Sequence, residues 1–165
     1  MRSDERLNRL IEDKKVKWER PKNALGDYED YFNILVIHQN RYKGAIGVNR
    51  RNSITDETVP SWFNLVIWGH EHESIPTLVP CVQNGVEFLQ PGSTVRTSLI
   101  ETEKKPKHCF ILNFEELHSE EGSVNYELQK FELMKVRPFI YREIILSHTK
   151  IAREDEARQI QFIQD

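Results

Sequence analysis

Two short apolar runs, each leading into histidine, constrain this sequence more than any other feature. Phe32-Asn33-Ile34-Leu35-Val36-Ile37 runs into His38, and Phe63-Asn64-Leu65-Val66-Ile67-Trp68 passes through Gly69 into His70. Both are rich in β-branched residues and read as buried strands, the kind covered on both faces in an α/β fold. Side chains at the carboxyl ends of such strands face the crevice where ligands bind. The chain has 165 residues, room for one ordinary domain. Its 38 % apolar and 30 % charged content fits a packed core under a solvated surface. With 23 Lys and Arg against 26 Asp and Glu, the net charge is −3, which excludes a grip on nucleic acid through bulk positive charge. The apolar runs fall far short of the ~20 residues a membrane helix needs. The opening MRSDERLNRL carries acidic residues and no apolar core, so it does not read as a secretory signal. Cys81 and Cys109 lack C-x-x-C spacing, so no disulfide framework or Cys-rich zinc module is expected, and a reducing intracellular setting is.

Along the chain, Leu7, Leu10 and Ile11 at helical spacing predict a short surface helix. Lys15–Glu19 alternates and reads as an edge strand ended by Pro21. Residues 41–60 read as loop, Val86–Gln90 as a short strand closed by Pro91-Gly92, and Cys109–Phe114, Asn125–Leu133 and Phe139–Leu146 as further strands. The tail after Ser147 is polar, with only Ile160 and Ile163 as a thin apolar stripe. It reads as a helix in need of a partner or as a frayed end.

The chemistry gathers where the two buried strands stop. Residues two apart in an extended chain share a side, ~6.6 Å apart, which would put His70 and His72 together and turn Glu71 away. A lone histidine at a strand end is ordinarily a hydrogen-bonded structural residue. An H-x-H pair directly after a buried strand has few structural uses, and with His38 on a second strand the set reads as metal ligands. Gly69 would let the backbone come close to ions or bend there. The stretch Gln90-Pro91-Gly92-Ser93-Thr94 reads as a tight turn, or as a crevice wall offering backbone N–H and hydroxyl groups to phosphate.

Taken together, V-I-H-Q-N-R, F-N-L-V-I-W-G-H-E-H-E, F-L-Q-P-G-S-T-V-R-T-S-L and K-H-C-F-I-L occur in an order that resembles the family of the eukaryotic double-strand-break repair nuclease meiotic recombination eleven and its bacterial counterpart SbcD. R-S-D-E-R-L-N-R-L, K-K-V-K-W-E-R-P and R-P-F-I-Y-R-E-I-I-L fit as well, so the likeness runs from about Arg2 to about Leu146. The resemblance implies an α/β fold, the β-rich half of a calcineurin-like two-sheet sandwich flanked by helices and incomplete at its N-terminus. Residues 1–133 would be the C-terminal half of the nuclease domain, and 134–165 the start of a DNA-binding or capping domain. It implies a site for two manganese ions (Mn2+), with His38 and His70 on one ion and His72 on the other. Asn40, Glu73, Gln90, Gly92 and Ser93 would support the ligands or line the crevice, with Gln39 and Arg41 beside them. The implied reaction is phosphodiester hydrolysis of DNA, by 3′-to-5′ exonuclease and endonuclease action in double-strand-break repair. Implied partners are DNA ends and an ABC-type ATPase carrying a long coiled coil; the implied location is the nucleus.

The family's D-x-H, its G-D with the bridging aspartate and its G-N-H-[DE] with the catalytic histidine precede the matched region. D-x-H and G-N-H-[DE] do not occur in these 165 residues. Gly26-Asp27 imitates the bridging motif in letters only, lying just before the His38 strand in what the family pattern makes a variable loop. No catalytic residue is therefore assigned within the chain. Three neutral imidazoles offset none of the four charges of two divalent ions, so the isolated chain is expected to lack tight two-metal binding and activity. Its sheet edges are expected to be open to association, and the family's homodimer is not expected of it. A non-catalytic DNA-binding or scaffold module is the alternative, with Lys43, Arg50, Arg51, Lys104, Lys105 and Lys107 available to phosphates. A phosphatase of the same superfamily acting on small molecules or phosphoproteins is the weaker one.

Overall fold

A computed structural model describes residues 3–26, 31–42, 53–115 and 125–164. Helix α1 (Ser3–Glu12) is followed by strand β1 (Ile34–His38), β2 (Leu65–Gly69), β3 (Ile75–Pro80), β4 (Glu87–Gln90), β5 (His108–Glu115), β6 (Asn125–Glu132) and helix α2 (Glu156–Gln164). Four strands form one sheet in the order β1-β2-β4-β3, and β5 with β6 forms a second. This is the mixed α/β, β-rich arrangement the sequence predicts.

The two histidine-terminated runs are neighbours. β1 and β2 pair in parallel, with Ile37 opposite Trp68 and His38 opposite Gly69. β4 lies parallel on the other side of β2, and β3 pairs antiparallel with β4, with Ile75 opposite Gln90. Parallel strands leave their carboxyl ends on one sheet edge, so the segments after His38, Gly69 and Gln90 emerge together. The antiparallel β3 also begins there. One edge thus collects every turn from which the candidate residues come.

The core lies on one face of the larger sheet. Val66, Trp68, Val86 and Phe88 are fully buried with Ile54, Val59 and Cys81. Leu7 and Ile11 of α1, with Leu35, Ile37 and Phe63, pack against them, which is the face the helical spacing predicts. The second sheet is tied on by aromatic rings. Phe32 meets Phe114 and Tyr126 edge to face at 4.9 and 4.8 Å between centroids, and the Tyr126 hydroxyl donates to Glu87. The reading of both runs as covered strands holds for β2 but not for β1, which is an edge strand with Val36 71 % exposed.

Three further sequence expectations need correction. Lys15–Glu19 is not a strand. Helix α1 closes with Lys14 in the left-handed region at φ 53 and the Lys15 N–H on Leu10 O at 2.8 Å. The next residues lie on the core through their side chains, Trp18 meeting Phe63 edge-on at 5.8 Å. The predicted alternation is present, Val16 and Trp18 half-buried between exposed neighbours, but no ladder forms. Phe139–Leu146 is also not a strand. It follows Pro138, which has no N–H to give, Ile140 is 91 % exposed, and the segment pairs with none of the described strands. Ile75–Pro80 is a strand that the sequence hides behind two prolines. Prolines fit there because β3 is an edge, and its pairing with β4 shifts between Ile75 and Val79. The tail is a helix, its first turn capped by Asp155 Oδ1 accepting from the Arg158 N–H at 3.1 Å. No described helix is long and apolar enough to cross a membrane.

The core and the exposed edge respond differently to substitution. Phe88→Ala is expected to lower the free energy of unfolding by about 3–5 kcal/mol. Val36→Lys should leave it within about 0.5 kcal/mol. Urea unfolding of both variants measures the contrast.

Candidate metal centre

The parallel register sets the site. Because His38 lies opposite Gly69, the next residue along β2, His70, reaches the His38 ring. His38 Nε2 and His70 Nδ1 stand 3.3 Å apart, with ring planes at 81°. Gly69 makes room: a Cβ there would lie 2.9 Å from His38 Nδ1. β2 ends at Gly69, and His70 turns the chain through the left-handed region at φ 76. For a residue with a side chain that conformation costs of order 1–3 kcal/mol, and such strain concentrates at functional sites.

That turn corrects the extended-chain reading of His70 and His72. The two rings do not share partners. His72 Nδ1 faces Glu103 Oε1 at 2.9 Å and Thr97 Oγ1 at 2.8 Å, leaving its Nε2 with no hydrogen-bond partner among the described residues. Glu71, expected to turn away, accepts the Arg41 N–H through its carboxylate at 3.0 Å.

Beneath His72 lies a buried ion pair. Glu103, in a short 3-10 turn (Glu101–Lys104), and Lys107 are almost wholly buried and meet at 2.5 Å. Lys107 Nζ also donates to His72 O and Ser93 Oγ, each at 3.0 Å. Burial alone would raise the Glu103 pKa. Hydrogen bonds from Lys107, His72 and the Thr97 N–H outweigh it, with the Lys107 charge adding to them, and hold the carboxyl at about 2.

The crevice wall is pinned around this pair. Gly92 has φ 73, and a Cβ there would lie 2.7 Å from Ser74 N and 2.8 Å from His72 O, so the 90–93 turn packs backbone to backbone against the His72 segment. Gln90 is fully buried, donating to Glu73 O at 3.1 Å and accepting from Arg41 Nη1 at 3.3 Å. Arg41 forks onto Asp56 at 2.9 and 2.6 Å and lies over the Trp68 and Phe88 rings. Trp68 Nε1 donates to Gln39 O at 2.7 Å, and Asn40 O accepts the Ile54 N–H. The Glu73 carboxylate pairs with Lys105. Lys43, Arg50 and Arg51 lie outside the described residues. Lys107, grouped by sequence with solvated basic residues, is instead part of the core of the site. Glu103, Thr97 and Asp56 were not singled out by sequence. Glu103 sits in a charged run, E-T-E-K-K-P-K, whose letters read as solvated surface.

The donor set fits a metal in part. Nitrogens on adjacent corners of one octahedral ion lie roughly 3 Å apart, close to the His38–His70 separation. Imidazole nitrogen is a transition-metal ligand. Among the described residues, however, no group of three His, Cys, Asp or Glu could hold an ion. The chain therefore presents part of a shell, neutral and without a facing carboxylate.

No family model matches the chain. It is similar to the double-strand break repair protein MRE11 of Arabidopsis thaliana, 42 % identical over 145 residues, covering 87 % of this chain and 19 % of that protein. It is 39 % identical over 147 residues to the double-strand break repair protein mus-23 of Neurospora crassa, covering 89 % of this chain and 18 % of the relative. The MRE11 of Gallus gallus is 35 % identical over 163 residues, 98 % of this chain and 21 % of the relative. That match takes the likeness past Ser147, where the sequence reading sees little. The chain spans about a fifth of the length of these curated relatives.

The two glycines separate geometry from stability. Gly69→Ala should change stability by no more than about 1 kcal/mol, because only a flexible ring must move, while separating His38 from His70. Gly92→Ala should cost about 2 kcal/mol or more, because backbone must move. Thermal unfolding reads the costs, and histidine ring cross-peaks in NMR spectra read the separation.

Proposed function

We propose, from the premise that the chain belongs to the MRE11 family of double-strand break repair proteins, that it forms part of a manganese-dependent nuclease acting on DNA ends. One observation carries the reading: two histidines from paired parallel strands bring ring nitrogens within 3.3 Å at the sheet edge where the turns converge. The reaction is phosphodiester hydrolysis, in the 3′-to-5′ exonuclease and endonuclease modes that the family resemblance implies. When bound, a pair of divalent cations would supply charge to offset that developing on the phosphoryl oxygens.

The chain's own residues bind and orient. His38 and His70 offer their facing nitrogens to one cation, and His72 offers Nε2 to the other. The turn through Gly92 and Ser93, with Gln90, Asn40 and Glu73, walls the crevice and fixes the backbone that carries the imidazoles. Neutral rings do not offset the repulsion between two divalent ions a few ångströms apart. Tight loading and cutting therefore need carboxylates from outside these 165 residues. Residues 134–165 are read as the start of a DNA-binding or capping domain. The family resemblance further points to DNA ends as substrate, an ABC-type coiled-coil ATPase as partner, and action in the nucleus.

A DNA-binding module without metal chemistry has less behind it. Lys104 and Lys105 are paired with Glu101 and Glu73, and Lys107 is buried.

A chimaera tests the reading. With this chain in place of the matched segment of the Arabidopsis relative, manganese-dependent cutting of DNA ends is expected. His70→Ala or His72→Ala in the chimaera should lower it by at least roughly 100-fold. The chain alone should not cut. Undiminished cutting by either variant would overturn the assignment.

A further inference from the structure

The buried Glu103–Lys107 pair calls for a role beyond stability, because a fully desolvated ion pair seldom gains more than its desolvation costs. Its contacts point one way. The Glu103 carboxylate meets the ring of His72, Lys107 meets the backbone carbonyl of His72, and Lys107 also holds Ser93 Oγ on the neighbouring turn. Both members of the pair thus contact His72, one at its ring and the other at its backbone.

We propose that Glu103 and Lys107 are positioning residues that fix the tautomer and orientation of His72. Glu103 Oε1 accepts a hydrogen from His72 Nδ1, so the lone pair is left on Nε2, the nitrogen without a partner. The direction of this hydrogen bond follows from charge. A carboxylate held ionised by Lys107 is an acceptor only, so at 2.9 Å the hydrogen must lie on the ring nitrogen. Thr97 completes the arrangement. Its backbone N–H donates to Glu103 Oε1 at 3.2 Å, and its hydroxyl lies 3.4 Å from the same oxygen. With Nδ1–H committed to Glu103, that hydroxyl donates to the carboxylate or accepts a second share of the ring hydrogen; it does not compete for the lone pair on Nε2. A metal-bound histidine ordinarily gives its other N–H to a carboxylate or carbonyl in this way, which orients the ring and raises its basicity. Lys107 acts at one remove: it keeps Glu103 charged and ties the His72 backbone carbonyl and the Ser93 hydroxyl to the same point.

The inference rests on the reading of His72 as a ligand for its purpose, but its geometry is testable without metal. The experiment is a long-range proton–nitrogen NMR correlation on the metal-free 165-residue chain with labelled histidine, above the pH at which the imidazoles are protonated. The expected result is His72 as the Nδ1–H tautomer, retained in Thr97→Val. In Glu103→Ala the ring should revert to the Nε2–H tautomer that imidazole side chains favour in water. An Nε2–H ring in the unsubstituted chain would overturn the proposal, as would an unchanged tautomer in folded Glu103→Ala or its loss in Thr97→Val. Should Glu103→Ala fail to fold, the unsubstituted and Thr97→Val spectra decide. Manganese binding by the chimaera, where the missing carboxylates are supplied, addresses the ligand reading separately. An intact Nδ1–H tautomer in the chain, with manganese binding by the chimaera undiminished in His72→Ala, would contradict the metal reading and leave the positioning role standing. In the chimaera, Glu103→Ala should weaken manganese binding about 10–100-fold.

Discussion

The register between β1 and β2 is the constraint on which the site depends. Parallel pairing places His38 opposite Gly69, and that pairing brings an imidazole from each of two distant segments to one spot. A slip of one residue would send the side chains of β1 to the opposite face. It would also remove Leu35 and Ile37 from the core, so packing and chemistry enforce the same alignment. Gly69 completes the fit by leaving the space that the His38 ring fills.

Around that register the fold spends polar contacts on holding turns rather than strands. Arg41, anchored on Asp56 and lying over Trp68 and Phe88, ties the segment after β1 to the loop before β2 and to Gln90 at the end of β4. Glu103 and Lys107 do the same for the segments carrying His72 and Ser93. Both networks sit at the edge where the parallel strands end, where helices or neighbouring strands leave backbone free for binding. The strain at His70 belongs to the same picture: the turn that carries the chain out of the strand stands where His70 meets His38.

Much of this was legible in the sequence, for identifiable reasons. Continuous β-branched runs mark β1 and β2 as strands, although β1 is a half-exposed edge strand rather than one covered on both faces, and helical spacing marks α1. The two false strands show the limit of pattern. Lys15–Glu19 has a strand's alternation because Val16 and Trp18 are half-buried, yet the segment forms no ladder among the described residues. Phe139–Leu146 has the composition, yet it follows Pro138 and pairs with none of the described strands. β3 was missed because Pro76 and Pro80 argue against a central strand but not against an edge. At the site, histidines beside glycine at strand ends were visible as chemistry. Glu103 and Lys107 were not, because burial of a charged pair inside E-T-E-K-K-P-K is decided by distant segments, and local letters carry no trace of it.

The central claim is that the β1–β2 register builds half of a cation cradle from His38 and His70. Manganese-edge anomalous diffraction from crystals of the chimaera tests it most directly. The account predicts one anomalous peak bonded to both the His38 and His70 rings, with His72 on a second. A manganese position bonded to neither ring, or β1 found paired in another register with the two rings apart, would contradict it.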